Sequence, residues 1–135
     1  MQQAYQIIIA EDDAALASTL TRLILRHYPT AVVQTFGNGQ EALDAYDHVG
    51  ADLLLVSHGL PGMDGSTIIR TLQAHGDTLP IIAMSDNPGL PDYMAAGAMA
   101  YLDDGELIGQ IAALLRRFRL PTSRSVRQVG QTSGE

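Results

Sequence analysis

The chain has 135 residues, enough for one domain with its own core and too few for two. Apolar side chains make up 46% and charged ones 17%, a globular balance, and the absence of cysteine excludes a disulfide framework or a cysteine–metal site. Residues 1–115 hold fourteen of the fifteen acids against only Arg22, Arg26 and Arg70, residues 116–135 hold five Arg and one Glu, and the chain has no Lys; so acidic a body argues against direct nucleic-acid binding.

The first residues, Met1-Gln2-Gln3-Ala4-Tyr5-Gln6, lack the charged and apolar regions of a signal peptide. No apolar run approaches the roughly 20 residues that span a membrane, so a soluble cytoplasmic protein is expected. Ile7-Ile8-Ile9-Ala10 is a short apolar run ending in Glu11-Asp12-Asp13, as a buried parallel strand would. Leu16, Leu20, Leu23 and Ile24 then recur at helical spacing over residues 14–27, before Pro29. Residues 31–36 form a second strand, Gly37-Asn38-Gly39 a turn, and residues 40–48 a helix with Ala42, Leu43 and Tyr46 inward. Residues 52–57 are apolar on both faces, which predicts a central strand ending in Ser57.

Pro61, Gly62 and Gly65 mark a loop, with Asp64 placed to cap a helix over residues 66–75. Residues 79–84 make a fourth strand, 85–91 a loop with Pro88 and Pro91, 92–96 a short helical stretch, and 98–102 a fifth strand. The last helix, over residues 106–118, carries Leu107, Ile108, Ile111, Leu114 and Leu115 on one stripe. From Leu120 the composition turns polar, so the chain divides into a domain over 1–119 and a polar basic tail or linker over 120–135. Alternating strands and helices predict an α/β fold with a doubly wound parallel sheet. The functional crevice of such a fold lies beyond the carboxyl ends of the strands. There the sequence puts Glu11-Asp12-Asp13, Ser57, Ser85 and Asp103-Asp104.

Four stretches carry a resemblance. They are residues 7–13, the segment from Asp52 to Gly65 with its Leu-Pro-Gly-Met-Asp-Gly, then Ala83-Met84-Ser85, then Gly97-Ala98-Met99-Ala100-Tyr101-Leu102. In that order they resemble the signatures of response-regulator receiver domains of two-component systems, over roughly residues 5–118. The resemblance implies a flavodoxin-like (βα)5 fold with strand order 2-1-3-4-5. It also implies a signalling role, in which a histidine kinase passes a phosphoryl group to an aspartate at the end of the third strand. That acceptor position is Ser57 here. Glu11 and Asp12 match the acids that hold Mg²⁺ in the family. Ser85 and Tyr101 match the hydroxyl and aromatic switch positions. The family's lysine falls on Asp104, followed by Gly105.

The site therefore departs from the family at the acceptor and at the lysine. A serine hydroxyl is neutral and needs a general base to attack phosphorus. Replacing lysine by aspartate changes the local charge by two units, and no other lysine exists to take its place. Ser85 and Gly97 are also close in sequence, which implies a shortened fourth helix and an altered face of fourth helix, fifth strand and fifth helix, the face through which a homodimer would form.

Each residue has a plainer reading beside this one. The acids at 11–13 serve as helix caps or as a weak Mg²⁺ site. Asp104 is a solvated acid in a turn with Asp103 and Gly105, or a replacement ligand. Ser57 is an inert strand-end residue or a substitute acceptor, Tyr101 a core aromatic or a switch. A Ser57–His58 nucleophile–base pair is disfavoured, since neighbours on a strand point to opposite faces. Arg116, Arg117 and Arg119 complement the end of the last helix.

The sequence thus reads as an atypical receiver, a non-enzymatic pseudo-receiver. It would act without phosphorylation, through a protein partner or a linked output domain, with at most weakly bound Mg²⁺. Two alternatives stay open: a receiver still responsive to phosphoryl donors, and a small flavodoxin-like enzyme. The latter has no glycine-rich cofactor fingerprint and no complete triad behind it.

Overall fold

In a computed structural model of the chain, the described residues are 5–76, 79–85, 98 and 100–117, and side chains are described outside 100–108 and 117. The elements run β1 (Gln6–Ala10), α1 (Ala14–His27), β2 (Val32–Phe36), α2 (Gly39–Val49), β3 (Leu53–Ser57), α3 (Gly65–Ala74), β4 (Ile81–Ser85), β5 (Ala100–Asp103) and α4 (Asp104–Arg117). The strands form one parallel sheet in the order β2-β1-β3-β4-β5, the flavodoxin-like arrangement expected. The short helix expected at 92–96 and the tail at 120–135 lie outside the described residues.

Strand side chains alternate between two cores, because successive residues of a strand point to opposite faces. Ile7, Ile9, Leu53, Leu55, Ile82 and Met84 face one way and pack with Leu20 and Ile24 of α1 and Ile111, Leu114 and Leu115 of α4. Ile8, Ala10, Leu54, Val56, Ile81 and Ala83 face the other way, with Ala42 and Leu43 of α2 and Ile68, Ile69 and Leu72 of α3. All five residues of β3 and of β4 are buried, whereas β2, at the sheet edge, is mostly half-exposed. The continuous apolar run at 53–56 thus has the cause inferred from sequence, helices on both sides of a central strand.

Three helices begin with a side-chain cap that satisfies the otherwise free amides of the first turn. Asp13 Oδ1 accepts from the N–H groups of Ala15 (3.0 Å) and Leu16 (3.2 Å). Asn38 Oδ1 accepts from those of Gln40 (2.8 Å) and Glu41 (3.1 Å). Asp64 Oδ1 accepts from that of Thr67 at 2.9 Å.

Two local expectations need correcting. Gly37-Asn38-Gly39 is not a free turn, because Asn38 caps α2 and Gly39 is its first residue. Asp103-Asp104-Gly105 is not a turn either, because Asp103 ends β5 and Asp104 opens α4 directly. An acid at a helix start is favoured by the helix dipole, and this local preference outweighs the turn tendency of an Asp–Asp–Gly string.

Candidate functional site

The parallel register brings the carboxyl ends of β1, β3, β4 and β5 to one edge of the sheet. Ala10 pairs with Val56, so Glu11 and Ser57 each stand one residue beyond a bonded pair. Ser57 pairs with Met84, and the next residue, Ser85, pairs with Asp103. Glu11, Ser57 and Ser85 are the three polar residues buried among those described. Asp12 is exposed. Tyr101 lies in β5, paired with Ala83, and Asp104 one residue beyond β5; only their backbone positions are described.

The acids at 11–13 divide their work. Asp13 caps α1, so one acid serves the plainer role. Glu11 turns inward, its own N–H bonded to Phe36 O at 2.9 Å, and its Oε2 accepts from the Asp13 N–H at 3.0 Å. Its Oε1 is buried as well. A carboxylate so placed is held in one orientation at the crevice floor.

Ser57 Oγ donates to the carbonyl oxygen of His58 at 3.3 Å, so its proton points at a neutral acceptor rather than at a base. His58 itself is exposed, and its N–H donates to Met84 O at 3.0 Å. The adjacent Ser57 and His58 side chains therefore make no nucleophile–base pair, as the strand geometry implies.

Beyond Ser57 the loop 58–64 leads to α3 and packs against the start of α2. Leu60 is buried in the α2/α3 core and Met63 packs against it. Asp64 ends the loop as the α3 cap, and its carboxyl is held below the usual carboxylate range, chiefly by the Thr67 N–H. Sequence reasoning missed the other side of this loop. Gly39 N–H donates to Pro61 O at 2.9 Å, and Asn38 lies against Gly62. The signal was present as an Asn-Gly pair ahead of a helical pattern, which serves a cap as well as a turn.

Also missed was a cleft of 420 Å³ between α1 and β2, with Glu11 and Asp12 in its wall together with Ser18, Arg22 and Thr35. Ser57 and Ser85 do not line it. The Arg22 guanidinium bonds Ser18 Oγ at 2.9 Å and Thr19 Oγ1 at 3.4 Å.

For a metal, the donors at the crevice among the described side chains are Glu11 and Asp12. Among the described residues no group of three His, Cys, Asp or Glu side chains gathers to hold an ion. Mg²⁺ is commonly bound through one or two carboxylates with water completing its shell. Among the residues whose side chains are described, Glu11 and Asp12 fit such a partial, water-rich site.

Comparison with known proteins gives the same frame. Residues 7–112 match the family model described as "Response regulator receiver domain". The chain is 34% identical over 121 residues to the DNA-binding response regulator MtrA of Mycobacterium tuberculosis (strain ATCC 25618 / H37Rv), covering 83% of this chain and 51% of that protein. It is 29% identical over 134 residues to the response regulator MprA of Mycobacterium ulcerans, covering 94% of this chain and 57% of that protein. The chain thus spans about half the length of these relatives. Among solved structures, the receiver domain of the sensor histidine kinase PA1611 from Pseudomonas aeruginosa PAO1, with a magnesium ion in its active-site cleft, superposes with a TM-score of 0.72 at 25% identity. That match covers 86% of this chain and 98% of that one. A LuxR-family DNA-binding response regulator from Staphylococcus aureus gives a TM-score of 0.76 at 19% identity, covering 86% and 99%. Among the described residues no helix is long and apolar enough to cross a membrane. With its sheet order, its strand-end crevice and these matches in agreement, the chain belongs to the family of response regulator receiver domains.

Proposed function

We propose that this chain is a pseudo-receiver, a signalling module that acts through protein contacts without aspartyl phosphorylation. The observation that carries the reading is Ser57. The central strand of a receiver ends here in a buried neutral hydroxyl whose proton is held by the His58 carbonyl. A hydroxyl so bound has neither the negative charge nor the general base that attack on phosphorus requires. The chain also offers no lysine to pair with phosphoryl oxygens, and the residue after β5 is Asp104.

Glu11 and Asp12 would hold a weakly bound Mg²⁺, which offsets charge on a transferring phosphoryl group. Ser85 and Tyr101 occupy the hydroxyl and aromatic positions of the family's switch, and in this reading they stay in one state unless a partner moves them. The receiver extends over 1–119, and residues 120–135 serve as a polar tail or linker. A covalently joined output domain is the first candidate partner, given that the relatives are about twice as long. A partner protein or a second copy, meeting the altered face around β5 and α4, is the next. Catalysis is no part of the role.

The test is to treat the full chain with acetyl phosphate, and separately with beryllofluoride, each with Mg²⁺. Intact mass and amide NMR spectra are recorded. The expected result is an unchanged mass and no shift at Ser85 or at the amides of β5. A covalent phosphoryl adduct, or shifts spreading from Ser85 into β5, would establish instead a receiver that still answers phosphoryl donors.

A further inference from the structure

We propose that the loop after Ser57 and the first turn of α2 are a single mechanical unit, so that a contact made on the loop is delivered to α2. Four observations join the two. The Gly39 N–H donates to the Pro61 carbonyl at 2.9 Å. A Cβ on Gly39 would fall on the Met63 carbonyl oxygen, so backbone meets backbone there with no room for a side chain. Gly62 has φ +82°, and a Cβ on it would fall on the Asn38 side-chain amide. Leu60 and Met63 belong to the same apolar cluster as Ala42 and Leu43 of α2.

Asn38 is the centre of the joint. Its Oδ1 accepts from the Gln40 and Glu41 N–H groups, which starts α2, while the same amide lies over Gly62. Raising the loop therefore removes the Gly39–Pro61 bond and uncovers the cap of α2 in the same movement. The loop's two ends are held elsewhere, by His58 N–H on Met84 O and by Asp64 on α3. Its middle leans on α2. α2 then presents Gln40, Asp44, Asp47 and His48 to solvent as the surface that reports the movement. This goes beyond the pseudo-receiver reading and rests on it only for what presses on the loop. A phosphoryl adduct on the chain would defeat that reading and leave the joint intact.

Amide exchange on the full chain, read by NMR, tests the joint. Gly62→Ala forces an L-residue into a left-handed conformation and against Asn38. It is expected to speed exchange at Gln40 and Glu41 by about tenfold, with α3 amides such as Leu72 unchanged. Asn38→Ser keeps a capping oxygen and removes the amide over Gly62, so combining it with Gly62→Ala is expected to restore part of that protection. Should Gly62→Ala not fold, the wild-type chain in low urea gives the answer. Gly39, whose acceptor is in the loop, and Gln40 and Glu41, whose acceptor is Asn38, are expected to open with one common urea dependence. Exchange changes confined to 59–64 in Gly62→Ala, strictly additive effects of the two substitutions, or separate urea dependences for Gly39 and its neighbours would each overturn the proposal.

Discussion

The frame of the strand-end crevice and its contents differ sharply. Among the described residues the frame is tied at three helix starts, where Asp13, Asn38 and Asp64 each cap a helix, and Pro61 bonds to the start of α2. The contents, among the described side chains, are two buried hydroxyls, Ser57 and Ser85, and one inward carboxylate, Glu11. None of the ties in the frame involves Ser57 or Ser85. The caps and the two hydroxyls thus rest on different residues, while Glu11 joins the two sets through its bond from the Asp13 N–H. The first way to break this comparison is to break the frame. Leu55→Ala empties a fully buried position of β3 and is expected to cost about 2–5 kcal/mol, measured by urea unfolding. A smaller loss than that would mean the sheet is less tightly packed than its burial indicates.

The next largest effect belongs to Gly39. Gly39→Ala would gain helix propensity at an ordinary helix start, yet its Cβ would fall on the Met63 carbonyl oxygen. Backbone must shift to admit it, so a net loss of about 1–3 kcal/mol is expected in the same unfolding assay. A gain in stability would show that the loop yields freely there.

A change to the contents should act differently. Ser57→Asp places a third carboxylate beside the Glu11 end of β1 without touching any cap. The expected consequence is a stability that becomes dependent on Mg²⁺. At about ten times its dissociation constant the ion would stabilise the fold by about 1.4 kcal/mol, through mass action. Thermal unfolding with and without Mg²⁺ would read this as a rise in Tm larger than that of the wild-type chain. An equal rise in both proteins would mean that Glu11 and Asp12 already bind the ion as well as three acids do.

Much of this division was legible in the sequence. The five strands, four of the helices and the two-faced burial of 53–56 followed from apolar period and run length, which are local signals. So did the Asp64 cap. The misreadings at Gly37-Asn38-Gly39 and Asp103-Asp104-Gly105 share one cause. Asx and glycine residues serve turns and helix starts alike; at Asp104 the helix dipole makes the choice, at Gly39 what packs against it. For Gly39 that is Met63, twenty-four positions away, a contact no local pattern encodes. The inward turn of Glu11 was hidden for the same reason, since three consecutive acids look alike until β2 bonds the first of them. Ser57, by contrast, was visible at once, because the residue type at a strand end is read directly.

Asp64 gives a smaller effect, and one with a pH signature. Asp64→Ala removes the α3 cap and is expected to cost about 1 kcal/mol. The Thr67 N–H holds the folded carboxyl below its ordinary value of 3.8. The folded state therefore binds this proton less readily than the unfolded chain does. The stabilisation is complete above that ordinary value and fades as pH falls through the lower folded value. Wild-type and Asp64→Ala stabilities should converge only in acid below pH 3.8, as urea unfolding at a series of pH values would show. A difference that persists undiminished in acid would mean that the cap acts through shape and not through charge.

The smallest effect is expected at Ser57 itself. Ser57→Ala deletes a hydroxyl whose bond to the His58 carbonyl is long at 3.3 Å. The carbonyl of an exposed residue can turn to water, so the loss should be about 0.5–1 kcal/mol, the net worth of an ordinary hydrogen bond. The alanine methyl group meanwhile suits a site that is already buried. If Ser57 is only the end of a strand, the Ser57→Ala chain should keep the wild-type affinity for whichever partner or output domain it serves, as a binding isotherm would measure. A tenfold or greater loss of affinity in a chain that is folded and nearly as stable would mean that the hydroxyl carries the signal. The contents of the crevice would then have a chemistry of their own, and the separation between frame and contents would fail at the residue where it is drawn.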